Sequence, residues 1–180
     1  MTFHRIVNEN KADPLMLHEF RLKNTFIRHN LKWNDTFMEI YRKKLIELCT
    51  PIPGVEKLLS GIKRRVKTGI VSNAYDGAEQ RERIRSSGIG AFFDVIVIAG
   101  DIGVFKPDPA IFSYALNCLN ASPDQALYVG DSIAYDINGA KSAGMKTVLF
   151  NKNTKRDVNV ADYSALGIEG LQTLLDQLVL

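Results

Sequence analysis

Asp94-Val95-Ile96-Val97-Ile98-Ala99 sets aliphatic side chains at consecutive positions, and that narrows the possible folds sharply. Successive side chains of a strand point to opposite faces, so a strand with no polar face is covered on both sides. Strands of that kind occur in parallel sheets sandwiched between helices. The sequence on either side supplies such helices. Val55, Leu58, Leu59, Ile62 and Val66 form a helical stripe before the apolar run Thr68 to Val71, and a polar helix is predicted from about Ala78 to Ser86. Asp108-Pro109 is a cap followed by proline in the first turn of a helix carrying Phe112, Ala115, Leu116 and Leu119. Leu127-Tyr128-Val129 and Lys146 to Phe150 are further strands, residues 151–160 a polar loop, and Gly170 to Leu180 a closing helix. Alternation of this sort predicts a doubly wound parallel sheet with right-handed crossovers, a Rossmann-like α/β architecture.

The first fifty residues follow another pattern. Asp13-Pro14 signals a helix start, with Met16, Phe20, Ile27 and Leu31 along one face; Asn34 can cap a second helix striped by Phe37, Ile40, Tyr41, Leu45 and Leu48. Thr50-Pro51-Ile52-Pro53-Gly54 stops it. The expected organisation is a small helical unit over residues 1–50 and an α/β unit over residues 51–180.

Composition removes several functional classes. The 23 basic and 20 acidic residues are interspersed and leave a net charge of +3, too balanced for a dedicated nucleic-acid binder. The basic clusters Lys63-Arg64-Arg65-Val66-Lys67 and Arg81, Arg83, Arg85 fall on helical segments and are expected to be solvated faces. Cys49 and Cys118 have neither zinc-ligand nor disulfide spacing, and His4, His18 and His29 are assigned no role. There is no signal-peptide pattern at the start and no apolar run of membrane-spanning length, so a cytoplasmic protein without a membrane partner is expected.

The chemistry is concentrated at predicted strand ends. Gly130-Asp131-Ser132-Ile133-Ala134-Tyr135-Asp136 joins the strand ending at Val129 to a helix. Carboxylates at the carboxyl edge of a parallel sheet are where α/β folds hold ligands. Asp131, in the loop, is a hard oxygen donor suited to Mg²⁺. Asp136, near the helix start, can stay ionised and hold either a metal-bound water or a lysine amine. Both also suit the simpler roles of helix cap and first-turn acid. Lys106, before Pro107, can project a fixed cation over the same edge, and Ser72, with the peptide N–H groups of Asn73 and Ala74, can make a small anion-binding concavity.

The order Ser72, Lys106, Gly130-Asp131, Asp136, together with Phe105-Lys106-Pro107-Asp108-Pro109-Ala110-Ile111-Phe112, resembles the haloacid dehalogenase-like (HAD) superfamily over nearly all of residues 51–180. The resemblance implies that Ser72 and Asn73 bind a phosphoryl group, that Lys106 steadies nucleophile and phosphate, and that Asp131 binds Mg²⁺ with help from Asp136. It also implies that residues 1–50 are part of a helical cap. Glu47-Leu48-Cys49-Thr50-Pro51-Ile52-Pro53-Gly54, followed by Gly69-Ile70-Val71-Ser72-Asn73, resembles the pyrimidine 5′-nucleotidase branch, which implies a small phosphorylated metabolite such as a pyrimidine nucleotide as substrate.

One element of that pattern is missing. Members of the superfamily begin with a central strand ending in Asp-x-Asp, which carries the nucleophile and the general acid-base, and no Asp-x-Asp occurs in the 180 residues. Thr2 to Val7 could be extended but end in Asn8-Glu9-Asn10. The expectation is a truncated form, its sheet aggregation-prone or partly open unless another segment fills the gap, with negligible phosphatase activity of its own. A metal-free 2-haloacid dehalogenase and a non-catalytic binding or regulatory module of the same fold are the alternatives. A phosphate-receiving signalling domain is excluded, because its acidic pair precedes its lysine-bearing strand.

Overall fold

The computed structural model describes residue 13, residues 16–151 and residues 160–178. The readings for Thr2 to Val7, Pro14, most of the 151–160 loop and the last residues of the closing helix lie outside these. Helices α1 (Leu17–Arg28) and α2 (Thr36–Glu47) follow one another across a short loop. Phe26, Trp33 and Phe37 hold the turn together, with ring centroids 5.0 to 6.0 Å apart. Much of the apolar stripe foreseen on this pair stays in solvent, Ile27 being 71% and Leu48 72% exposed.

The α/β part runs α3 (Val55–Lys63), β1 (Gly69–Ser72), α4 (Gly77–Ser86), β2 (Val95–Ile98), α5 (Ala99–Ile102), α6 (Pro109–Leu119), β3 (Leu127–Gly130), α7 (Asn138–Ser142), β4 (Lys146–Asn151), β5 (Tyr163–Leu166) and α8 (Gly167–Leu178). A 3₁₀ turn, Ile89–Phe92, precedes β2, and a π-type turn, Ile133–Ile137, leads into α7. Ala99, read from sequence as the end of a strand, instead opens α5. β5 was not anticipated: four residues with one buried side chain, Ala165, carry no strand pattern of their own, and β4 orders them as its parallel neighbour.

All ladders among the described residues are parallel, as the aliphatic runs require, with β1 beside β2 and β3-β4-β5 together. Helices cover both faces. On one, Ile111, Phe112 and Ala115 of α6 and Ala140 of α7 pack with Val97; on the other, Leu58 of α3 and Leu171 and Leu175 of α8 pack with Val148 and Ala165. Full burial of a side chain such as Ile111 or Phe112 stabilises by about 1.5 to 3 kcal/mol.

Among the described residues no ladder joins β1 to β3, so the strands form two sheets of two and three strands. Asp94 and Val95 donate to the Thr68 carbonyl, so Thr68, Ile70 and Ser72 turn their peptide groups toward β2. By alternation those of Gly69 and Val71 face the other edge, open among the described residues. Side chains bridge the two sheets instead of a ladder. Phe112 stacks edge-on against Tyr128 of β3 at 4.9 Å while packing in the cluster that contains Val97 of β2.

Candidate active site

Lys106 is the centre of the other bridge. Its Nζ donates to the Val71 carbonyl at 3.0 Å, to Asp136 Oδ1 at 2.7 Å and to the Tyr128 hydroxyl at 3.2 Å. The ammonium therefore ties the open edge of β1 to the segment after β3. Three N–H groups are all an ammonium has, and all three are engaged. The pair is shielded, with Lys106 12% and Asp136 7% exposed at the side chain.

Local structure explains how these groups meet. Asn73 clamps the backbone of Lys106: its amide donates to the Lys106 carbonyl at 3.0 Å and its carbonyl accepts from the Lys106 N–H at 2.7 Å. The side chain of Asn73 thus positions Lys106, which leaves its peptide N–H as the group that could meet an anion. Pro107 follows in a cis peptide, and Asp108 caps α6 through the Ala110 N–H at 2.9 Å.

On the other side, the segment after β3 turns inward through the π-type turn. The cap there is Ser132, whose Oγ accepts from the Tyr135 N–H, so Asp131 is not the capping residue. Asp136 curls back under the strand end and takes the Ser132 N–H on Oδ2 at 3.0 Å. Of the two roles open to it in the sequence, it holds the lysine amine. Gly130 makes this possible, since a Cβ at that position would lie 2.4 Å from the Asp136 Cβ.

Tyr128, which sequence reasoning passed over as one apolar strand residue among others, joins the site through its hydroxyl, 3.2 Å from Asp136 Oδ1. Burial pushes its phenol well above the usual range, with the neighbouring Asp136 carboxylate adding to the shift. It stays protonated, donating to Asp136 and accepting from Lys106.

Ser72 ends β1 and lies between two cavities of about 330 Å³ each. One reaches Leu17 and His18 on α1; the other reaches Cys49, Thr50 and Lys106. Ser72, Asn73, Gln80 and Arg83 line both. Glu79, deep in the first cavity, binds His18 Nε2 at 3.1 Å and lies 3.8 Å from Arg42, so it connects α4 to both helices of the α1–α2 pair. His18, given no role from the sequence, borders this cavity. The solvated-face reading of Arg81, Arg83 and Arg85 suits the outer two, which pair with Asp101 and Glu82 at the surface. Arg83 departs from it, being half-buried against Gln80, because its place on α4 turns it toward Ser72.

Asp131 follows β3 directly and is exposed. Among the described residues no three His, Cys, Asp or Glu side chains gather as a metal-binding group. Mg²⁺ does not need such a cage, since it is held by one or two carboxylates while keeping waters and phosphate oxygens. An exposed carboxylate at the sheet's carboxyl edge, beside an Asp136 already committed to Lys106, fits as a single ligand of that kind. No helix among the described residues is long and apolar enough to cross a membrane.

Residues 8–150 match the family of haloacid dehalogenase-like hydrolases. The chain belongs to this family. Among curated HAD relatives, the pyrimidine 5′-nucleotidase YjjG of Escherichia coli is 38% identical over 121 residues, covering 67% of this chain and 52% of that protein. The glyceraldehyde 3-phosphate phosphatase of Pyrococcus furiosus is 32% identical over 163 residues, 89% of this chain and 68% of its own length. The chain thus spans about half to two thirds of the HAD relatives it matches. The crystal structure of the HAD-hydrolase YfnB from Bacillus subtilis superposes with a TM-score of 0.80 at 27% identity, over 96% of this chain and 76% of that one. The doubly wound parallel fold of the HAD family is therefore the fold of this chain.

Proposed function

We propose that this chain carries the phosphate-handling half of a Mg²⁺-dependent HAD phosphohydrolase acting on nucleoside 5′-monophosphates or similar small phosphate esters. The observation that carries the reading is the Lys106–Asp136–Tyr128 cluster, anchored to the Val71 carbonyl one residue before Ser72. In this reading residues 1–50 are part of a substrate-selecting cap over a core of residues 51–180. The Ser72 hydroxyl and the Asn73 and Ala74 peptide N–H groups bind the phosphoryl group, and Lys106 supplies positive charge beside it. Asp131 is one ligand for Mg²⁺, which when bound neutralises charge on the phosphate.

The 180 residues contain no Asp-x-Asp to attack phosphorus. We place that nucleophile on a further parallel strand between β1 and β3, where the open edge of Val71 offers a ladder partner. A strand N–H bonding that carbonyl would release one ammonium proton of Lys106 for the nucleophile and the phosphate. Without such a strand the chain is inactive.

Support for phosphoryl over halide chemistry comes from the relatives above 30% identity, which include the nucleotidase, glyceraldehyde 3-phosphate phosphatases and the human N-acylneuraminate-9-phosphatase. The 2-haloacid dehalogenase of Pseudomonas syringae is 28% identical, with a TM-score of 0.59. The Bacillus subtilis structure was bound to magnesium, which favours the metal-dependent reading.

The test is phosphate release from nucleoside monophosphates, sugar phosphates and p-nitrophenyl phosphate with Mg²⁺, comparing the chain with the same chain extended by an apolar strand ending in Asp-x-Asp. The extended protein is expected to be active, with nucleoside monophosphates preferred and Asp131→Ala abolishing turnover. Turnover by the 180-residue chain that Asp131→Ala abolishes would overturn the missing nucleophile, and a preference for sugar phosphates would overturn the substrate reading.

A further inference from the structure

Arg83, Gln80 and Ser72 form a continuous hydrogen-bonded line between the two cavities. Arg83 Nη1 donates to Gln80 Oε1 at 3.1 Å, and Gln80 Nε2 donates to Ser72 Oγ at 3.0 Å. Its direction follows from the chemistry of its members. A guanidinium has only donors, so the face of the Gln80 amide toward Arg83 must be its oxygen. The NH₂ group must then face Ser72. Because Ser72 Oγ accepts there, the one proton of its hydroxyl is left to point elsewhere.

We infer that Gln80 and Arg83 are positioning residues that set the polarity of Ser72, presenting its hydroxyl as a donor to an anion in the cavity. A phosphate offers acceptors only, so a serine beside it helps only while its proton faces it. The inference rests on the reading of Ser72 as a phosphate-binding residue. Arg83 suits the outer end of the line. Among the described residues it pairs with no carboxylate, and its Nε is buried without a hydrogen-bond partner. With no acid competing for it, the guanidinium orders Gln80. The placement of Gln80 and Arg83 three residues apart puts both on one side of α4. Asp76 caps the helix through the Glu79 N–H at 2.9 Å, which fixes its start and so the height of Gln80 beside Ser72.

The decisive variant is Gln80→Glu, almost identical in shape. Its carboxylate accepts from Arg83 on one oxygen and from the Ser72 hydroxyl on the other, turning the serine proton away from the phosphate. The fold is expected to hold or gain stability, because Arg83 acquires a counter-ion. Inorganic phosphate binding in the presence of Mg²⁺, measured by isothermal titration calorimetry, is the readout for the parent chain, Ser72→Ala, Gln80→Glu, the double variant and Arg83→Met.

Ser72→Ala is expected to weaken binding about tenfold, the usual scale for a hydrogen bond to a charged group, and Gln80→Glu by at least as much. In the Ser72→Ala background Gln80→Glu should cost only the small effect of its charge. Arg83→Met frees the Gln80 amide to turn over and should give an intermediate loss. A parent that takes up no phosphate, or a Ser72→Ala variant that binds as the parent does, removes the reading of the site and the relay with it. If Ser72→Ala weakens binding while Gln80→Glu and Arg83→Met do not, or if Gln80→Glu costs the same in both backgrounds, the relay alone is wrong and the site reading stands. Should urea unfolding find Gln80→Glu unfolded, its stability forecast is overturned and Arg83→Met decides the relay.

Discussion

Replacing Asp136 by alanine tests whether the Lys106 pair holds the two sheets together. Asp136 accepts from Lys106 at 2.7 Å, from Tyr128 at 3.2 Å and from the Ser132 N–H at 3.0 Å, and the substitution removes all three acceptor contacts at once. It also leaves the ammonium shielded, with only the Val71 carbonyl and the Tyr128 hydroxyl as partners. Breaking a buried pair from one side costs about 3 to 5 kcal/mol. A whole domain commonly has about 5 to 15 kcal/mol of stability, so the loss is a large share of it. With a urea slope of about 2 kcal/mol per molar, the midpoint should fall by roughly 2 M at unchanged slope. Lys106→Met breaks the same pair from the other side, leaving the shielded Asp136 carboxylate its bonds to Tyr128 and Ser132, and should cost a similar amount, about 3 to 5 kcal/mol. In the double variant no isolated charge remains, so its cost should fall short of the sum by about 2 kcal/mol. The measurement is urea unfolding of the four proteins followed by circular dichroism. Additivity within about 0.5 kcal/mol, or a loss below about 1 kcal/mol for Asp136→Ala, would refute the bridge as an element of stability.

Gly130→Ala forces a Cβ against Asp136 and should cost about 1 to 3 kcal/mol, read as a lowered urea midpoint; an unchanged midpoint would show that the turn can move aside. Tyr128→Phe should cost about 1 to 2 kcal/mol at neutral pH. Because the folded phenol is raised above its unfolded value near 10, the stability it contributes is complete below that pH and declines as pH rises beyond it, so Tyr128→Phe should flatten the alkaline decline of the unfolding free energy. At the acid end, Asp162 is held below the ordinary carboxylate range, chiefly by the Thr147 hydroxyl at 2.6 Å and also by the Thr147 N–H at 2.8 Å. A depressed folded value means the contribution is present above the unfolded value near 4 and is lost as pH falls through the folded one. Thr147→Val should therefore make stability less steep below about pH 4 to 5, and an unchanged acid limb in urea titrations would contradict it.

How much could be read in advance depended on where each group sits. Lys106, Asp136 and Ser72 were legible because each follows or ends an apolar run, and the ends of parallel strands meet at one edge. Tyr128 was not, since within Leu127-Tyr128-Val129 nothing distinguishes a phenol that packs from one whose hydroxyl reaches a lysine. Arg81, Arg83 and Arg85 look alike along the chain. Only their rotation about α4 sends the outer two to Asp101 and Glu82 and the middle one to Gln80. The choice at Asp136 between metal-bound water and lysine turned on whether Gly130 leaves room for its carboxylate under β3.

The amino-acid order by itself determined the parallel α/β architecture and the strand ends at which the candidate site residues lie, because continuous aliphatic strands must be covered on both faces and their carboxyl ends share one edge. Tertiary structure alone decided that, among the described residues, no ladder joins β1 to β3 and that a lysine links the Val71 carbonyl to Asp136. Which backbone carbonyl stays open, and which side chain turns to meet it, depend on contacts between residues far apart in the chain. Local sequence pattern carries no record of those contacts.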